Sequence, residues 1–118
     1  MNQELRLLPY LSLGDCGFAQ TVLAVAPRRR LFERMRSEAA RRPLRWDFTS
    51  YFSPVFGELR RYGEMAADAH GEPLTWLPAG WLTAALQAYH DAGDSANDAV
   101  LAYLRALPSI AVVVLYWC

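Results

Sequence analysis

The run from Ile110 to Trp117 constrains this chain more than any other stretch, because it is β-branched and apolar with no polar residue at alternate positions. Such a run suits a strand covered on both faces. A strand of that kind needs hydrogen-bonding neighbours on both edges, so it is expected near the centre of a sheet. It is also well short of the about 18 apolar residues of a membrane span. The chain is therefore expected not to cross a bilayer. Its first residues, Met1 to Glu4, lack the cationic stretch and apolar segment of a secretory leader, which places the expected location in the cytoplasm.

The other elements are read against that central strand. Leu5, Leu7, Leu11 and Leu13 alternate, with Pro9 on the same side, as in a half-buried strand. Pro9 has no N–H to give to a neighbour, so this strand is expected at an edge or with a bulge. Gly14 to Gly17 signals a turn, and Phe18 to Ala26 supplies the return arm of a hairpin. Pro27 opens a helix whose apolar stripe is Leu31, Phe32, Met35 and Ala39, ending before Pro43. Leu44, Trp46, Phe48, Ser50 and Phe52 alternate as a third strand. Ser53 and Pro54 then start a helix, with Val55, Leu59, Tyr62, Ala66 and Ala69 at helical spacing, ending at Gly71.

A short strand is expected at Leu74 to Trp76, followed by a helix from Pro78 with Leu82, Ala85, Leu86 and Tyr89 as its stripe. Asp94 or Ser95 caps a last helix carrying Val100, Leu101, Leu104 and Leu107. The 118 residues, 53% of them hydrophobic, suffice for one core without disulfides or metals. There is no repeat or linker, so residues 1–118 read as one α+β domain. The expected architecture is a two-layer sandwich with about four mainly antiparallel strands, helices mostly on one face and the C-terminal strand central.

Charge is where the function is most legible. Twelve basic and twelve acidic residues cancel, which argues against bulk attraction to polyanions, yet every base is Arg and the two signs are segregated. Arg28 to Arg45 holds eight Arg against Glu33 and Glu38, whereas Tyr62 to Leu104 holds six acids and no base. Arg28, Arg29 and Arg30 fall in a helix's first turn, where the dipole is already positive, so something should compensate. The block pairs with the protein's own acidic segment, meets an anionic partner or is simply solvated.

Candidate chemistry is sparse. Cys16 has no His ahead of it to act as base and reads as a turn thiol, and both cysteines are expected reduced. His70 with Glu64, Asp68 and Glu72, and His90 beside Asp91, can be drawn as acid–base or metal groups. Each reads better as a histidine favoured at a helix C-terminus. No metal-ligand spacing, phosphate loop or nucleophile elbow occurs, so neither metal nor cofactor is expected.

These features point away from catalysis and toward a small protein that binds another protein stoichiometrically, of the inhibitor, toxin-immunity or anti-defence kind. The binding residues would be Arg28, Arg29, Arg30, Arg34, Arg41, Arg42 and Arg45, with Tyr51 and Trp81 as exposed aromatics. A nucleic-acid or polyanion binder using the same arginines is the first alternative, and a small enzyme with a His base the second. Opposed charge blocks also leave homodimerisation open.

Overall fold

A computed structural model describes residues 3–13, 16–19, 21–45, 48–50, 64–90 and 95–118. Along the chain run β1 (Leu5–Leu13), β2 (Cys16–Ala19), β3 (Leu23–Val25), α1 (Arg29–Ala39), β4 (Phe48–Ser50), β5 (Glu64–Met65), β6 (Thr75–Pro78), α2 (Ala79–Ala88), α3 (Ser95–Arg105) and β7 (Val112–Trp117). The fold is α+β.

β7 lies between β1 and β6, antiparallel to both, as an apolar strand covered on both faces requires. With β3 on the far edge of β1, these form a four-stranded antiparallel sheet in the order β3-β1-β7-β6. The distal half of β1 pairs with β2, β2 pairs in parallel with β4, and β4 pairs antiparallel with β5. Ile110 is not part of β7; it stands 83% exposed in the preceding turn, where the N–H of Ala111 closes onto the Pro108 carbonyl.

Pro9 resolves into a bulge, and β1 is an interior strand over its first half. Glu4 and Cys118 exchange both backbone hydrogen bonds, so Glu4, Arg6 and Leu8 point their backbone groups at β7. Alternation turns Leu5, Leu7 and Pro9 toward the hairpin's return arm. There the register changes: Leu7 faces Leu23 and Tyr10 faces Ala19, a shift of one residue in the pairing across Leu8 and Pro9. The proline's missing donor thus falls where the ladder is already interrupted.

All three helices bury their stripes on one face of the sheet. Leu31, Phe32, Met35 and Ala39 of α1 join Leu82 and Leu86 of α2 and Val100, Leu101 and Leu104 of α3 over Leu5, Leu7, Val113, Leu115 and Trp117. Leu8, Val114 and Tyr116 point to the opposite face, where Ala19 and Leu74 pack with them. Burial there pushes the Tyr116 phenol above its ordinary range, Cys118 and Asp68 adding to the shift and Arg6 opposing it.

The starts of two helices are tied to distant backbone. At α2, the Ser109 and Ala111 carbonyls accept the N–H groups of Gly80 and Ala79 at 2.8 and 2.9 Å. Gly80 permits that approach, since a Cβ there would lie 3.1 Å from the Ser109 oxygen. At α3, buried Asn97 reaches across to β3: its Oδ1 accepts the Ala26 N–H at 2.8 Å and its Nδ2 donates to the Ala26 carbonyl at 3.4 Å.

The expected helix ending at Gly71 is corrected over its described part. Residues 64–65 are strand and 66–71 turn back as a hairpin, with Ala67 bridged to Pro73; the segment from Tyr51 to Gly63 lies outside the described residues. Turn chemistry outweighs the helical spacing here. Asp68 accepts the N–H groups of His70 and Glu72 on its carboxylate, and Gly71 adopts φ +80°. An Asp at the start of a tight loop and a Gly in the left-handed region are the residues such a hairpin demands. Ala66 and Ala69 are exposed, so their spacing buries nothing. Of the expected third strand from Leu44 to Phe52, Phe48–Ser50 is strand among the described residues, Trp46, Asp47, Tyr51 and Phe52 lie outside them, and Pro43 forms an isolated bridge with Thr75.

Candidate functional site

α1 has one apolar stripe, and that stripe is wholly spent on the core. Every remaining face therefore goes to the arginines. Arg29, Arg30, Arg34, Arg36, Arg41 and Arg45 are exposed, while Arg28 and Arg42 are half-buried. Arg28 is the N-cap; no side chain caps the helix there and no acid stands in its first turn, so the dipole conflict expected from the sequence is present.

Between described residues, the block's ion pairs are local. Arg29 Nε lies 3.2 Å from Glu33, and Arg42 donates to the Glu38 carboxylate at 2.6 Å, each one turn apart. The Arg42 hydrogen bond holds the Glu38 carboxyl below its usual range, with the charges of Arg42, Arg41 and Arg34 adding to this and burial opposing it. Asp68 is engaged by the backbone of its own hairpin and Asp98 by His90. No ion pair joins the arginine block to Asp68, Glu72 or Asp98 among the described residues.

Several guanidinium groups instead find indole rings. Arg36 sits 4.0 Å from the Trp117 ring centroid, Arg42 5.7 Å from Trp76, and Arg34 6.0 Å from Trp81, the last at the outer limit of a cation–π contact. The three rings come from β7, β6 and the first turn of α2. Trp76 faces Val114 across the ladder, so the chain leaving α1 carries Arg42 around the β6 edge to the far face. Its backbone holds it there, the Arg42 carbonyl accepting the Trp76 N–H at 3.1 Å. Trp81 is half-buried against the core and lies under Arg34.

At the N-terminal end of α1 lies an open cavity of about 410 Å³ lined by Gln3, Pro27, Arg28, Arg29, Phe32, Glu33 and Arg36. Charge of both signs meets an aromatic wall there. Arg36 and Gln3 are the residues that sequence reasoning did not single out. Arg36 resembles its neighbours in sequence, and only the fold brings Trp117 beneath it.

The remaining candidates are dispersed. His70 is exposed at the hairpin tip, not at a helix end as the sequence suggested, and His90 follows α2 and pairs with Asp98. Neither lines the cavity at α1. No group of three His, Cys, Asp or Glu side chains suited to a metal occurs among the described residues. Cys16 begins β2 opposite Leu13 and is not in the turn itself, and Cys118 accepts a hydrogen bond from Arg6. Tyr51 lies outside the described residues. No described helix is long and apolar enough to cross a membrane.

The chain matches no family model, no curated protein and no solved structure.

Proposed function

We propose that the protein works by stoichiometric binding of another protein, in the manner of an inhibitor or immunity protein, through the arginine face of α1 and the segment that follows it. The observation carrying this reading is that Arg30, Arg34, Arg41 and Arg45 are exposed and make no ion pair with a described acid. Their charges are thus available to a partner. A guanidinium held over an indole loses less rotamer freedom on binding than a solvated one. Arg and Trp together are also the residues that most often dominate protein interfaces.

Glu33 and Glu38 favour a protein over a nucleic acid. Both carboxylates stand within the face, where they repel phosphates but can accept donors from a polypeptide, and the whole chain has no net charge to hold a polyanion. The test is capture from a lysate of the producing organism with the tagged full chain, before and after nuclease treatment. A one-to-one protein complex that survives nuclease, and whose association slows as salt rises, supports the reading. Loss of all bound material on nuclease treatment replaces it with the polyanion alternative.

A further inference from the structure

We infer that the cavity at the N-terminal end of α1 is the anchor pocket of this interface, seating one acidic side chain of the partner together with an adjoining apolar group. This rests on the protein-binding reading and specifies what the partner must present. The wall is chemically divided. Arg29 and Arg36 line it from positions two turns apart on one helix, and Gln3 adds an amide from the chain entering β1. Exposed Pro27 supplies apolar surface, the edge of the largely buried Phe32 ring adds a little, and Glu33 is an acceptor.

Each part limits the occupant. Planar guanidinium groups match a carboxylate in shape and charge and can hold it bidentately. Phosphate would satisfy them too, but its greater charge is repelled more strongly by Glu33, which already pairs with Arg29, and it would leave the Pro27 surface uncovered. A carboxylate on a polypeptide has apolar neighbours to cover that surface and backbone N–H groups to meet Glu33. The volume of about 410 Å³ admits such a side chain with its neighbour and falls at the small end of ligand pockets.

Arg36 is the residue that fixes the geometry. Its side chain is exposed, yet its guanidinium is held 4.0 Å from the Trp117 centroid, a ring itself only 4% exposed and immobilised on the central strand. One wall of the pocket is therefore rigid before any partner arrives, which lowers the ordering cost of binding.

The test is a nuclear magnetic resonance titration of the isotope-labelled full chain with the blocked tripeptide Leu-Asp-Leu, its Leu-Asn-Leu counterpart and inorganic phosphate. The expected result is saturable shifts at the amides of Gln3, Phe32, Glu33 and Arg36 and at the Arg29 and Arg36 Nε–H groups. Binding should weaken at least about tenfold for the Asn peptide and for the exposed-site variant Arg36→Gln, reflecting one lost charge-assisted contact. Absence of saturable shifts, equal affinity of Arg36→Gln, or phosphate binding as tightly as the Asp peptide would overturn the inference. Failure here is separable from failure of the wider reading: a partner captured equally by Arg36→Gln removes the pocket and leaves the face, whereas peptide binding without any captured protein does the reverse.

Discussion

Arg36 holds its guanidinium 4.0 Å above the indole of Trp117, the ring that Phe32, one turn earlier on the same helix, meets edge-on at 5.3 Å and 81°. A single turn of α1 thus grips the end of the central strand with one apolar and one cationic side chain. Replacing Arg36 by Ala should cost about 0.5–1 kcal/mol, the worth of an exposed cation–π contact. Urea unfolding monitored by circular dichroism measures it, and Lys at this position should restore only part, since an ammonium cannot stack as a plane.

Asn97 is the one buried polar residue among the described side chains, and it satisfies both backbone groups of Ala26 at the end of β3. Asn97→Leu should destabilise by about 1–3 kcal/mol, because it leaves that donor and acceptor without their partner. The accompanying local signature is faster hydrogen exchange at the Ala26 amide than at the amides of β7.

The hairpin tip depends on Gly71 at φ +80°, where there is open space for a side chain but a backbone region that L residues avoid. Gly71→Ala should therefore cost about 1–2 kcal/mol from conformation alone. Gly71→Asn, which tolerates the left-handed region, should cost less, and thermal unfolding of the two variants side by side decides it.

Glu38 titrates below the ordinary glutamate range because Arg42 donates to its carboxylate, with the charges of Arg42, Arg41 and Arg34 in support. A value lowered in the folded state means that its stabilising contribution is complete above the ordinary range and disappears as pH falls through the lowered one. Carboxyl carbon resonances followed through acid titration should place Glu38 below the ordinary glutamate range, and Arg42→Gln should bring it back toward that range.

The sheet was the legible part of this chain. Uninterrupted apolar residues from Ile110 to Trp117 announce a strand with neighbours on both edges, which begins two residues later at Val112, and the helical stripes of α1, α2 and α3 fall where their spacing puts them. Pro9 announced the bulge, though not which of its neighbours it interrupts. The hairpin at Asp68–Glu72 was misread because alanines at helical spacing carry little information when they are exposed. Asp68 and Gly71 were the stronger signal. Candidate site residues on α1 were visible as a charge block, but the indole under each of Arg34, Arg36 and Arg42 comes from a distant element. No local pattern carries that information.

The central claim is that outward-facing arginines of α1 and its C-terminal extension recruit a protein. Its most direct test is capture, after nuclease treatment, by the triple variant Arg34→Glu, Arg41→Glu and Arg45→Glu beside the unaltered chain. All three positions are exposed, so the variant should keep the parent's circular dichroism spectrum. The unaltered chain is expected to retain a stoichiometric protein partner and the folded variant to lose it; equal retention of the same partner by both would contradict recruitment through these arginines.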